Sequence, residues 1–411
     1  MNIRDSFNGH TAKHPSVYVA TITLVLIINL LFTLVIIQKG NNTITGKLPA
    51  DFNIYYITSY RFLNDLEIYN KLTVPSDLSD VLSDVIPASY LASPPFLVLL
   101  TSPLIFLPFE IAWWSLTVFS WLIVFLSTFV TARTCQFSRK NSWLIASWAV
   151  TSLPVFILLI ANHFESVLLL LALFGLFSIK KKYNILVGLF LGASTAFKLF
   201  PLYWFLPFCN RRYLKIFSYS MASFIVINLF TLYLIGFDQL YLFLNNALPQ
   251  SMFWYKSPGN LSLLTIGTVL CSTTAGWVLS GLGAILIAYF LFRRTLPPDQ
   301  FFIIAISGSL LLSPLSWSYY YILLIPCLII LASHLESTKS NRLQLLFLII
   351  SLCFWPSLLG SLSDPIIMAL PAPIDNIFRF LPTLGLSMLI ATTFQADFSK
   401  LDQLSSSIQN Q

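Results

Sequence analysis

The chain has 411 residues, 57% of them hydrophobic and only 9% charged, whereas a water-soluble globule carries about 25% charged residues. That balance excludes a soluble protein and predicts an integral membrane protein. The net charge of +7 does not mark a nucleic-acid binder. The cations stand in short clusters beside apolar segments, at Lys180 to Lys182, Arg211 and Arg212, and Arg293 and Arg294, the pattern by which cytoplasmic loops set membrane topology.

Apolar stretches able to cross a ~30 Å hydrocarbon layer recur from residue 17 to residue 395. They predict an all-α, polytopic bundle of about 11 to 13 spans forming one membrane domain over residues 1–398, with a polar cytoplasmic tail at 399–411. The first stretch, VYVATITLVLIINLLFTLVII, follows Arg4, Lys13 and His14 and lacks a small-residue cleavage site. It is expected to be a retained first helix with the amino terminus in the cytoplasm. The long loop at 38–94 then faces outward, and it is acidic, with Asp51, Asp65, Glu67, Asp77, Asp80 and Asp84. Within it Pro49 suits a helix start, and a helix is predicted over about residues 50–63. Phe52, Tyr56, Tyr60 and Leu63 recur at spacings of four, four and three, an aromatic stripe expected at lipid-headgroup level on an interfacial helix. Asp51 and Tyr55 share another face. Asn64 is expected to take the left-handed conformation that ends the helix.

The segment 95–107, flanked and broken by Pro94, Pro95, Pro103 and Pro108, would extend only ~20 Å as a helix and is either a short span or a re-entrant piece. Helices are predicted near 110–131, 142–160, 164–179, 184–199 and 213–235, then near 262–290, 300–316, 318–333, 343–360 and 379–395. Residues 201–209 are too short for a regular crossing. With the basic clusters in the cytoplasm, the loops at 236–261, 313–318 and 361–378 join 38–94 on the outer side.

Four sites carry polar chemistry. Asp51 either favours the first turn of its helix through the macrodipole or faces a cavity. Asn162, His163 and Glu165 lie between two apolar helices, where ionisable groups are costly and mark a site, unless they serve as a helix cap. Lys198 stands near the outer end of its helix, against the positive-inside trend, and either snorkels to the interface or holds a phosphate headgroup. Asn260, Ser262, Trp317, Tyr319 and Tyr320 stand at outer helix ends, and aromatic-belt anchoring explains Tyr319 and Tyr320 equally well. No metal site is expected, since the other histidines are His10, His14 and His334. Cys135, Cys209, Cys271, Cys327 and Cys353 lie singly and read as small core residues. Phosphate-binding glycine loops, GxSxG and HExxH are absent from the sequence.

The order of DFNIYYITSYRFLNDLEIY, YLASPPFLVLLTSPLIFLP, GLFLGASTAFKLFPLYWFLP, GNLSL and LLLSPLSWSYYY resembles glycosyltransferase family 87, the polyprenol-phosphate-dependent, mannosyltransferase-like branch of the C-type membrane glycosyltransferases. The resemblance runs from Asp51 to about Tyr321. It implies inverting transfer of a hexose, mannose by default, from a polyprenyl-phosphate-linked sugar to an acceptor hydroxyl on a glycolipid, glycan or protein. It places the reaction at the extracytoplasmic face of the plasma membrane. Asp51 would be the general base, Lys198 and Arg61 the donor-phosphate partners, and Tyr55, Asn162, His163, Glu165, Asn260, Ser262, Trp317, Tyr319 and Tyr320 the substrate contacts. No cofactor is implied. The family commonly has Gly at the position of Asn64, Gly-Gln near Asn162 and His163, and histidines where Tyr319 and Tyr320 stand. A transporter or flippase of a lipid-linked sugar, and a non-catalytic envelope assembly partner, are the competing readings. The first of these predicts weak internal repeats and midplane charges on broken helices.

Overall fold

The computed structural model describes residues 51–69, 93–209, 213–252, 260–293, 296–335, 339–354 and 372–396, with Leu91 and a few positions between 23 and 38. Most of the predicted first span, the acidic loop residues Asp77, Asp80 and Asp84, the outer loop at 361–378 up to residue 371, and the tail at 399–411 lie outside the described residues. The protein is all-α: among the described residues there is no strand, only an isolated bridge between Asn260 and Trp317. Three described helices are long and apolar enough to cross a membrane, Phe109–Thr134, Leu214–Ile235 and Thr273–Phe292. Five shorter apolar helices accompany them, Pro95–Phe106, Asn184–Phe197, Pro298–Leu312, Ser318–His334 and Leu343–Leu352.

The chain divides into two compact units. The first comprises residues 31–123 and 156–256. Its helices are α1 (Asp51–Leu63), α2 (Pro95–Thr101), the first part of α3 (Phe109–Thr134), most of α5 (Leu153–Ala161), α6 (Glu165–Lys180), α7 (Asn184–Phe197) and α8 (Leu214–Ile235), α4 belonging to the other unit. Helix α1 ends at the predicted Leu63 and begins within a residue of expectation, but Phe52 and Tyr56 of its aromatic stripe are turned into protein. Phe52 and Tyr56 are buried against Phe109, with ring centroids 5.5 and 5.2 Å away, and the Tyr56 hydroxyl donates to the Leu107 carbonyl at 2.9 Å. The first half of the expected headgroup-level stripe is thus a packing surface, because the chain after Pro94 folds back on α1 as far as Phe109, while Leu63 at the other end stays 42% exposed. The left-handed residue that closes it comes one position later than predicted. Asp65, not Asn64, takes the positive φ of 54°. Leu66 N–H bonds to Arg61 O and Asp65 N–H to Phe62 O, the paired bonds of a Schellman end.

Helices α7 and α8 lie close together because α7 presents Gly188 and Gly192 one turn apart. A Cβ at Gly188 would come within 2.3 Å of Tyr219 Cβ, and one at Gly192 within 2.6 Å of Ser223 Cβ. This small-residue spacing lets two backbones approach where lipid offers no hydrophobic drive for helix association. Helix α7 stops at Phe197 since Pro201 cannot donate back to it and its ring clashes with the carbonyl four residues earlier. Lys198 consequently stands in extended backbone at φ −146°, ψ 148°. The chain then runs through a 3₁₀ helix, Phe200–Cys209, in place of a regular crossing, as the length of that segment requires.

The second unit holds residues 1–30, 124–155 and 257–411, with α4 (Arg139–Val150), α9 (Leu263–Leu270), α10 (Thr273–Arg293), α11 (Pro298–Leu312), α12 (Leu324–His334), α13 (Lys339–Ile349) and α14 (Ala372–Gln395). Two predicted continuous helices are broken. The predicted 142–160 helix is two, Arg139–Val150 and Leu153–Ala161, with Pro154 in the first turn of the second, where a missing N–H costs no helical bond. The 262–290 helix divides at Cys271 and Ser272, where the Ser272 hydroxyl accepts from Ala275 N–H at 3.1 Å and caps α10. Gly267 and Gly276 let α9 and α10 close on each other, a Cβ on Gly267 falling 2.5 Å from Gly276 Cα. Helix α11 is buried on every side, the central element of this unit.

Candidate active site

Four titratable side chains of the first unit meet in one run. Asp51 stands in the first turn of α1 and Tyr55 one turn later on the same face. The two grip opposite nitrogens of one imidazole: His163 Nε2 pairs with Asp51 Oδ2, and Tyr55 Oη lies 2.9 Å from His163 Nδ1. Glu165 Oε2 lies 3.6 Å from the same Nδ1, while Glu165 Oε1 accepts from the Lys198 ammonium. The order Asp51, His163, Glu165, Lys198 is therefore continuous, with charge alternating in sign wherever the imidazole is protonated.

Local sequence explains how His163 and Glu165 reach this place. Helix α5 ends with Asn162 at φ 54°, and His163 N–H bonds back to Leu158 O at 3.2 Å. Asn is among the few residues with a side chain that tolerate this conformation. The Asn162 amide donates to the Trp113 carbonyl at 2.8 Å, which ties the turn to α3. The residue capping α6 is Phe164, without a side-chain cap, so neither Asn162 nor His163 serves the capping role that competed with a site. Glu165 then occupies the first turn of α6, where the helix dipole favours a carboxylate.

Exposure separates the members. The Asp51 side chain is 48% exposed, His163 4%, Glu165 0% and Lys198 8%. Asp51 is the one carboxylate of the cluster that a substrate in solvent can touch. Its withdrawal from water by burial raises its pKa, but the charge and hydrogen bond of His163 and the charge of Lys198 outweigh that and leave the carboxyl below its ordinary value. Asp51 thus stays ionised and able to accept a proton at neutral pH. The interior Glu165–Lys198 pair is a different object. Two charges withdrawn from water are costly unless each neutralises the other, and removing either partner strands the other.

The remaining candidates are placed elsewhere. Arg61 is ten residues along α1 from Asp51, about 15 Å at the helical rise, and its Nε donates to the Glu67 carbonyl at 2.7 Å. It is not brought to the cluster. Asn260, Ser262, Trp317, Tyr319 and Tyr320 belong to the second unit. There Asn260 accepts from Ser316 N–H at 2.8 Å and donates to Pro314 O at 2.6 Å, and Ser262 caps α9 through Thr265 N–H at 3.2 Å. Trp317 and Tyr319 stack with centroids 6.4 Å apart, and Tyr320 meets Tyr319 edge-on at 4.9 Å. The sequence reading missed the pairings themselves: Tyr55 with His163, and Glu165 as the counter-ion of Lys198. The signal available was the cost of ionisable groups among apolar helices, which requires each to have a partner, without saying which.

Residues 92–314 match the family model of glycosyltransferase family 87, more than half of the 411 residues. The matched range contains His163, Glu165, Lys198, Asn260 and Ser262, and it begins after Asp51, Tyr55 and Arg61. No curated protein and no solved structure matches the chain.

Proposed function

The chain belongs to glycosyltransferase family 87 and is a membrane glycosyltransferase; from that premise we propose that it transfers a hexose, by default mannose, with inversion, from a polyprenyl-phosphate donor to an acceptor hydroxyl at the extracytoplasmic face of the plasma membrane. The observation that carries this reading is the half-exposed, ionised Asp51 at the head of a buried run of charge ending at Lys198. Asp51 accepts the acceptor hydroxyl's proton as that oxygen attacks the anomeric carbon. The bond from the anomeric carbon to the phosphate oxygen breaks, and its electron pair leaves with the phosphate. Negative charge gathering there is met by Lys198, an ammonium with three donors that can serve a carboxylate and a phosphate together. Because Arg61 stands about 15 Å along α1, the phosphate is assigned to Lys198 alone.

The test is to reconstitute the purified protein with polyprenyl-phosphate mannose and a glycolipid acceptor and to measure polyprenyl phosphate released. Turnover in the wild type, and its loss in Asp51→Asn with donor binding retained, is the expected result. Donor crossing the bilayer without a new glycosidic bond would establish the flippase reading instead.

A further inference from the structure

The family reading needs one carboxylate as base; the geometry supplies more than one group. A carboxylate can only accept, so the nitrogen facing Asp51, His163 Nε2, carries the proton. Nδ1 meets the Tyr55 hydroxyl 2.9 Å away, accepting from it while the ring is neutral and donating to its oxygen once the ring is charged. The three groups form a continuous hydrogen-bonded chain, Tyr55 to His163 to Asp51, and two of its members come from the same face of α1. Only Asp51 reaches solvent: the His163 side chain is 4% exposed and Tyr55 is buried.

We infer that His163 is a positioning residue for the transfer, its Nε2 fixing one oxygen of Asp51 and its Nδ1 fixed in turn by Tyr55, so that the working base of this chain is an Asp51–His163 pair. The inference rests on the reading of Asp51 as the base. One oxygen of Asp51 is held by the imidazole, which sets the rotation of the carboxylate and leaves the half-exposed side chain to meet the acceptor from a constant direction. A proton arriving on Asp51 meets a ring already hydrogen-bonded to it. No redox change or further reactant is involved; the proton passes from the acceptor hydroxyl to the carboxylate, and the leaving phosphate keeps its electron pair.

A histidine here departs from the Gly-Gln common near this position in the family. The neighbours explain what it adds. Asp51 faces His163 from the turn between α5 and α6, Tyr55 from its own helix, and the charge of Lys198 from the end of α7. Glu165 faces the other side of the ring at 3.6 Å. A glutamine at 163 could donate to Asp51 but would carry no charge, so Asp51 would be held in place yet less strongly kept ionised.

The experiment uses the full-length protein in detergent micelles or nanodiscs, with two independent readouts. In the first, ¹⁵N-histidine NMR follows the ring of His163, one of four histidines, assigned by its loss in His163→Gln. The expected result is a ring protonated at Nε2, whose Nε2 signal moves in Asp51→Asn and whose Nδ1 signal moves in Tyr55→Phe. In the second, kcat and KM are measured against pH with polyprenyl-phosphate mannose. His163→Gln is expected to lower kcat about tenfold, and His163→Leu, which removes the hydrogen bond altogether, roughly a hundredfold. In both, the acidic limb is expected to move to higher pH because the base loses a group that holds it ionised, with KM for the donor little changed. Tyr55→Phe, which preserves packing, is expected to give a smaller loss in the same direction. A His163 ring indifferent to both Asp51→Asn and Tyr55→Phe overturns the inference whatever the activity. An unmoved acidic limb in His163→Gln, with Asp51→Asn inactive, overturns it while leaving Asp51 as the base. Full turnover in Asp51→Asn removes the base reading and this inference with it.

Discussion

The Asp51 cluster of one unit and the Asn260 corner of the other begin from similar sequence: polar residues at the ends of apolar helices. They end differently. At the corner, Asn260 spends its amide on Ser316 N–H and Pro314 O, and Ser262 spends its hydroxyl on the first turn of α9. Their chemistry is absorbed by backbone groups that helices leave unsatisfied at their ends. In the cluster, side chains meet side chains: carboxylate, imidazole, carboxylate and ammonium in sequence, with Asp51 alone opening to solvent. A polar residue at a helix end is a structural part when backbone claims it, and a chemical one when what it meets is another titratable group.

That comparison can be broken most directly at Glu165. Replacing this fully buried carboxylate by Gln strands the Lys198 charge, and a loss of about 3–5 kcal/mol is expected. The double variant Glu165→Leu with Lys198→Met should be less destabilised than either single change, as read by thermal unfolding in detergent. Additive losses would show that the two charges do not act as a pair. Next in size is Asp51→Asn, for which a fall in kcat of about a hundredfold or more is expected with only a small loss of stability at neutral pH. A variant that turns over normally would move the reaction away from the cluster.

At the corner the expectation is reversed. Asn260→Ala should cost about 1–3 kcal/mol, the penalty for leaving buried backbone partners unmet, while kcat changes little. A collapse of kcat at unchanged stability would make that corner part of the site. The smallest effect concerns pH. Asp51 titrates below its ordinary value of 3.8, so the stability it lends is complete above that value and disappears as pH falls through the lowered one. Acid unfolding curves of the wild type and Asp51→Asn should accordingly differ in slope only at the acid end, and parallel curves throughout would deny Asp51 its partner.

Much of the helix order was readable from periodicity and prolines. Helix α1 occupies the predicted residues, and α6, α7 and α8 begin and end within a few residues of expectation. The predictions faltered where a local device interrupted an apolar run: Ser272 capping a new helix inside one predicted span, and Pro154 opening a new helix inside another. Hydropathy averages over such points, since a cap or a bend leaves the mean apolarity of the window unchanged. The aromatic stripe of α1 illustrates the complementary limit. Its spacing fixed which residues share a face, but lipid and a packed protein surface are equally apolar, so the sequence could not say that Phe52 and Tyr56 would meet Phe109.

By itself the sequence determined the solvent and the class: too few charges for water, apolar runs long enough for a bilayer, and motifs whose order identifies a membrane glycosyltransferase. It also named Asp51, His163, Glu165 and Lys198 as residues in need of an explanation. Only the tertiary structure decided who partners whom, bringing His163 to Asp51 across 112 positions and Lys198 to Glu165 across 33. The reason is physical: the cost of burying a charge is a property of one residue and is legible at its position. The compensation for that cost is a property of two residues, and the meeting of two distant residues is set by how helices end, turn and pack.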